Sequence, residues 1–303
     1  MMSAGNFIIK HCKVLLENKQ QAILFAVVLS ILPFASWLSV ALVCLITLRK
    51  GAQSGFEVML PALVVHSVPL MMLVPLESVL ANTLIAYIPC YIAALSLRKT
   101  VSLQRLSGVF FIQACIGFLL IQYLAPDFVT SQFEQFKKIL APLQVYQQLL
   151  LESSDRFGSF MLAQLFFGIH ILTVIASSLF SLLFARSIQA KLFNPGAFSE
   201  EISKFRCGKI SFLILVIVLL ASYYEIPSAI NLLPLVLCYF LLSGFNLAYY
   251  ITARKNHFRV VILLLLLIVF KPSIVLLAYV IIGSLDSLFN FRLYLPARVR
   301  EST

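Results

Sequence analysis

The chain has 303 residues, 61% of them hydrophobic and 12% charged, with a formal charge of +11. Soluble domains carry roughly 25% charged residues, so this composition cannot cover a water-exposed surface. The positive balance does not mark a nucleic-acid binder, because Lys and Arg come in twos and threes at the ends of apolar stretches and form no single stripe.

A bilayer span needs about 20 apolar residues, and this chain offers stretch after stretch near that length. The pattern predicts an all-α, polytopic transmembrane helical bundle of about eight to ten membrane segments, organised as one integral-membrane domain over residues 1–303. Lys10, Lys13 and Lys19 precede the first stretch, Gln21 to Leu48, which reads as an uncleaved anchor rather than a signal peptide. Apolar runs follow over Phe56 to Val74, Val79 to Leu97 and Leu106 to Leu124. The segment 126–157 is polar and amphipathic, and Phe128, Phe133, Phe136, Ile139, Leu140 and Leu143 predict helices lying on the external membrane surface. Apolar chain returns from Gly158 to Ala185, and a second polar segment, Arg186 to Lys209, reads as a cytoplasmic amphipathic loop. The last runs are Ile210 to Tyr223, Ile226 to Thr252, Phe258 to Phe270 and Pro272 to Phe289.

Two regions are too long for one crossing. As straight helices, Gln21 to Leu48 would span about 42 Å and Phe258 to Phe289 about 48 Å, against a hydrocarbon core of about 30 Å. Each carries a proline near its middle, which removes a backbone donor and breaks a helix. Read as hairpins folded at Pro33 and near Pro272, they put 19 of the 23 Lys and Arg on one face and leave Lys137, Lys138, Arg156 and Lys271 on the other. The positive-inside rule then makes both termini cytoplasmic. Such hairpins either cross or enter and return; paired broken helices often flank a transporter's site, though Pro is also common in ordinary membrane helices.

Ionisable groups inside spans are the first candidates for function, because burying them is costly. Glu57 is expected to pair with Arg49 and Lys50, Glu77 and Glu225 to sit in outer turns, and Lys271 at a hairpin tip. His170, Gln164 and Gln113 are candidates to line a polar, ligand-binding cavity, with hydrogen-bonded packing as the alternative, which also covers His66. The six cysteines form no CxxC pair, and no His, Glu and Cys set has metal-ligand spacing. No HExxH or Ser-His-Asp arrangement is present, so neither a catalytic residue, a metal nor a cofactor is expected, and the chain does not read as an enzyme.

Arg186 to Lys209 is the densest signal. Asn194-Pro195-Gly196 is a turn in which Pro fixes φ at one corner and Gly supplies φ > 0 at the next. Ser199 can cap a short helix with Glu200 and Glu201 in its first turn. The segment reads as an element that couples to a cytoplasmic partner, or as an interfacial helix lying on headgroups.

Asn194-Pro195-Gly196-Ala197-Phe198 followed by Glu201 and Arg206 resembles a motif of the YybS-like family of predicted bacterial membrane proteins. Leu48-Arg49-Lys50-Gly51 with Gly55 is similar to a second family motif, and Asp286, Phe289, Phe291 and Arg292 to its C-terminal ending. The resemblance runs in order along most of the chain, with Ala197 where a second Gly is usual and Asn290 and Tyr294 where charges are frequent. It implies a bacterial inner-membrane protein distantly related to the substrate-binding S components of energy-coupling-factor transporters. That relation implies a helical cup open to the outside and a membrane partner approached through small residues of the first helix, for which Ala22 and Ala26 have the spacing. Arg186, Asn194, Pro195, Gly196, Phe198, Glu201 and Arg206 would serve a partner on the cytoplasmic side.

Two functional readings result. One is a small-molecule-binding or transport subunit in the bilayer. The other is a membrane scaffold or assembly factor acting through the 186–209 element.

Overall fold

A computed structural model describes residues 4–32, 35–72, 76–125, 127–140, 142, 148, 153, 158–252 and 257–294. Among the described residues the chain forms thirteen α-helices, one 3₁₀ turn and no strand. The helices are α1 (Ala4–Glu17), α2 (Lys19–Ile31), α3 (Ser36–Lys50), α4 (Ala52–Met71), α5 (Leu76–Thr100), α6 (Leu103–Leu124), α7 (Phe128–Leu140), α8 (Ser159–Phe193), α9 (Ala197–Lys204), α10 (Lys209–Tyr223), α11 (Pro227–Thr252), α12 (His257–Phe270) and α13 (Pro272–Phe289), and the 3₁₀ turn is Phe291–Leu293. Five of these, α4, α6, α8, α11 and α13, are each long and apolar enough to cross a membrane. Helices α9 and α10 add a sixth candidate if taken as one span bent by 51°. The architecture is that of a multi-pass membrane protein. The remaining apolar stretches of the expected eight to ten are mostly short helices, α2 and α12 among them.

Both long regions fold back. Ser39 Oγ on α3 donates to the Ala26 carbonyl on α2 at 2.7 Å, although thirteen residues separate them. One continuous helix would hold those residues about 20 Å apart. Lys19 at the start of α2 also pairs with Glu57 near the start of α4 at 2.6 Å, which requires the α2–α3 pair to return to its starting end. In the second region Tyr279 Oη on α13 donates to the Leu264 carbonyl on α12 at 3.2 Å, where a straight helix would separate them by about 22 Å. Pro33 itself lies outside the described residues. Pro272 occupies the first position of α13, where its missing N–H costs nothing and its fixed φ favours the helix.

The chain divides into two compact units, one of residues 1–113 and 173–202 and the other of residues 114–172 and 203–303. The first is built around α3, whose ten residues Ser39–Leu48 are all buried. A helix apolar on every side belongs in the middle of a bundle, and α3 packs against α2, α4 and α5. Trp37 at its start lies against Phe180 and Phe184 at ring distances of 5.2 and 5.6 Å. At its end Gly51 takes φ +108°, and the Arg98 guanidinium fills the space where a Cβ would stand. Lipid-facing residues such as Leu24, Phe25, Val28 and Ile31 are exposed on the far side of α2. The Cys44 and Cys90 thiols meet in this core at 3.2 Å, and the six cysteines are free.

The second unit centres on α11. Gly244 on α11 and Gly283 on α13 face each other so closely that a methyl group at either would collide with the Tyr279 or Phe240 carbonyl. Small residues at such a crossing let helix backbones touch, which is how helices gain packing energy inside lipid. Gly168 on α8 is pressed in the same way against the Asn231 backbone of α11. Helix α7 does more than lie on a surface. Its Phe133 and Phe136 rings pack on Phe166, and Phe128 packs edge-on to Phe167, so its aromatic face is docked on α8. The rest of 126–157, Leu143 included, falls almost wholly outside the described residues.

One boundary moves. The polar segment expected to open at Arg186 begins as two further turns of α8, which runs to Phe193. Arg, Gln and Lys are good helix formers, so a change from apolar to polar composition does not end a helix. The break comes at Asn194-Pro195-Gly196, where Gly196 takes φ +93°.

Candidate functional site

Of the residues proposed to line a ligand cavity, Gln164 and His170 take different faces of one helix. Gln164 is buried on α8, whereas His170 is exposed on the same helix. Six residues at about 100° each leave the two some 120° apart around the helix, so they do not share a face. Gln113 lies on α6 in the first unit and leaves its Nε2 buried without a partner. His66 has a structural duty: its Nδ1 lies 3.1 Å from the Ser30 carbonyl. A carbonyl only accepts, so Nδ1 carries the proton and caps one of the carbonyls left orphaned at the end of α2. Tyr87 stands edge-on to His66 and donates to Ser39 Oγ at 3.0 Å, which extends this polar chain through the first unit.

Ala22 and Ala26 are 1% and 0% exposed. Their small side chains bring α2 against α3 and α4, so the pair is spent on the chain's own packing and presents nothing to a partner. Glu57 pairs with Lys19 and Gln53 instead of the expected Arg49 and Lys50. The fold-back of α2 and α3 creates that pairing, which sequence spacing could not reveal.

At one end of the second unit, three buried polar atoms lack hydrogen-bond partners: Gln164 Oε1, Asn231 Oδ1 and Ser222 Oγ. Gln164 is the sixth residue of α8, Asn231 the fifth of α11, and Ser222 stands next to the last residue of α10. The α10–α11 turn and the Gly168–Asn231 contact bring these helix ends alongside one another. An unpaired buried carbonyl costs about 1–3 kcal/mol and is rare in native proteins. Two amide oxygens and a hydroxyl form a neutral set suited to a molecule bearing N–H or O–H donors. Sequence reading found Gln164 but missed Asn231 and Ser222, because both look like helix-end residues.

Side-chain bonds tie α9 back onto α8. Arg186 on α8 grips Glu201 on α9 through two bonds, Nε to Oε2 at 3.1 Å and Nη2 to Oε1, with both side chains nearly buried. Arg186 Nη1 also donates to Gln189 Oε1 at 2.6 Å, and Gln189 Nε2 donates to the Leu48 carbonyl at 3.4 Å. Arg49 lies over the Phe193 ring at 3.9 Å. The turn Asn194-Pro195-Gly196 projects from this clamp and is exposed, while Phe198 is half-buried.

A second charged cluster joins Arg206, Asp286 and Arg292 in the second unit. The face of α11 bearing Tyr239, Ser243, Asn246 and Tyr250 holds the linker after α9. Asn246 Nδ2 donates to the Phe205 carbonyl at 2.7 Å, and the Cys207 N–H donates to Ser243 Oγ at 3.2 Å. Arg292 donates from Nη1 to the Ser203 carbonyl at 2.5 Å and lies over the Tyr250 ring. Asp286 is wholly buried, accepts the Phe291 N–H at Oδ1 and faces Arg292 Nε at 3.6 Å. Burial lowers the Arg292 pKa; Asp286 opposes that shift and Arg206 adds to it. Burial also pushes the Cys207 thiol up to about 12, so it is no thiolate nucleophile at neutral pH.

No family model, curated protein or solved structure matches this chain. Its function therefore rests on these sites. Among the described residues no group of His, Cys, Asp and Glu could hold a metal ion.

Proposed function

We infer that this chain is a solute-binding subunit of a membrane transport system, with its site at the α10–α11 end of the second unit. The observation that carries the reading is that Gln164 Oε1, Asn231 Oδ1 and Ser222 Oγ, near the ends of α8, α11 and α10, are all buried and unpartnered. Such atoms await donors. The solute is accordingly uncharged or weakly charged and rich in N–H or O–H groups. By the positive-inside rule that end faces outward, with the aromatic helix α7 packed on α8 beside it. The reading agrees with the resemblance to S components and with placement in a bacterial cytoplasmic membrane. The test is solute binding. Neutral solutes rich in hydroxyl and amide groups, titrated into the detergent-solubilised protein, should raise its thermal unfolding midpoint, and Gln164→Leu and Asn231→Leu should each lose that rise. No rise in the wild type, or an equal rise in both variants, refutes a site here.

A second reading is favoured by the Arg186–Glu201 clamp. The exposed turn at Asn194-Pro195-Gly196 lies between the two helices that this clamp joins, and a turn already held in place lowers the ordering cost of binding. In that reading the chain scaffolds a cytoplasmic partner. Asn194→Ala with Gly196→Val would abolish partner recovery while leaving the bundle folded.

A further inference from the structure

The Arg206 and Arg292 guanidinium groups offer hydrogen-bond donors that no protein group fills. Arg206 Nη1 and Arg292 Nη2 are buried without partners, and Arg292 Nε reaches only the 3.6 Å ion pair with Asp286. Asp286 supplies one negative charge against these two positive ones. Asp286 Oδ1 is engaged by the Phe291 N–H, and Oδ2, which accepts no hydrogen bond, faces Arg292 Nε across 3.6 Å. Burying an uncompensated guanidinium is costly, so an arrangement of this kind implies an anion that completes it. Guanidinium forks from two separate side chains suit a tetrahedral oxyanion, which offers acceptors in several directions.

The surroundings narrow the class. The cluster stands at the end of α13, where Phe289, Leu293 and Tyr294 are exposed, and Lys204 and Lys209 are exposed beside the linker that carries Arg206. Aromatic and basic residues at helix ends mark the level of lipid headgroups. We propose that Arg206 and Arg292, with Arg292 oriented by Asp286, bind the phosphate of an anionic ligand at this end of the second unit. Phosphate is the shared chemistry, whether it belongs to a phospholipid headgroup or to a free phosphate. The site is distinct from the neutral Gln164–Asn231–Ser222 set and stands or falls without it.

The experiment uses the full chain and reads thermal unfolding. Inorganic phosphate is titrated into the detergent-solubilised protein at constant ionic strength, with chloride as the reference. In parallel the protein is reconstituted in phosphatidylcholine vesicles with and without phosphatidylglycerol. The expected result is a midpoint that rises with the logarithm of phosphate concentration, or one higher in phosphatidylglycerol. A response to phosphate alone assigns a free phosphate, and a response to phosphatidylglycerol alone assigns a headgroup. Arg206→Gln should weaken the apparent affinity by about tenfold to a hundredfold, the range for a lost hydrogen bond to a charged group. Because it removes a cation with an unfilled donor, this variant should fold at least as well as the wild type in chloride. Arg292→Lys, which keeps the charge opposite Asp286 but loses the fork, should also weaken the response. No response to either probe, or an equal response in Arg206→Gln, overturns the proposal.

Discussion

Replacing Asp286 by Asn tests whether the charged cluster is a true buried pair. Asp286 is 0% exposed and the Arg292 side chain 11% exposed, with Nε and Oδ2 3.6 Å apart. At an effective dielectric constant of about 20, that separation corresponds to about 4–5 kcal/mol of attraction before desolvation. Removing one partner of a buried pair costs about 3–5 kcal/mol, since it strands the other charge. The amide introduced by Asp286→Asn keeps an acceptor for the Phe291 N–H, so the loss isolates the charge. Arg292→Met strands Asp286 instead, but a carboxyl can escape by taking up a proton. It also loses the bond to the Ser203 carbonyl, worth about 1 kcal/mol. The cycle is therefore asymmetric. Asp286→Asn should cost about 3–5 kcal/mol in the wild-type background and less than about 1 kcal/mol beside Arg292→Met. Reversible unfolding in mixed detergent micelles, in phosphate-free buffer, measures all four corners. Equal costs in the two backgrounds would refute the pairing and leave Asp286 a helix-end cap.

Four further outcomes follow from the packing. Gly244→Val should drive α11 and α13 apart at a cost of about 3 kcal/mol or more and appear as aggregated protein in gel filtration; Gly108→Val, where nothing crowds the position, should be tolerated. Glu201→Ala breaks the clamp on Arg186, and amides of 197–204 should lose hydrogen-exchange protection while the core of α3 keeps it. His66→Leu leaves the Ser30 carbonyl uncapped and should lower stability by about 1–3 kcal/mol in a thermal melt. Cys207 should resist maleimide between pH 7 and 9, because its thiol stays protonated until pH approaches about 12; modification in that window as fast as that of the half-exposed Cys115 would contradict its burial.

Apolar length and proline position made the membrane helices and both fold-backs legible, because span length is a property of local sequence. Asp286 and Arg292 could be singled out together, six residues apart near one chain end. Arg206 could not be joined to them, since nothing local links a residue 86 positions away to a helix end. The outward or inward orientation of Gln164, His170, Ala22 and Ala26 was also out of reach. Around those positions α2 and α8 are apolar on most sides, so no amphipathic stripe announces which side meets protein and which meets lipid. The Gly244–Gly283 crossing was hidden for a similar reason: a lone glycine in a membrane helix has a role only once its neighbour is known.

The enclosure of α3 also sets an order of events. Trp37 rests on Phe180 and Phe184, Gln189 reaches the Leu48 carbonyl, and Cys90 donates to the Ser178 carbonyl. Every one of these covers comes from chain made well over a hundred codons after the residue it covers, apart from Ser178, which trails Cys90 by 88. Whatever leaves the ribosome first must therefore wait in lipid, half clothed, until residues 173–202 arrive to close around it. A stop codon placed before that stretch would leave α3 without its wall.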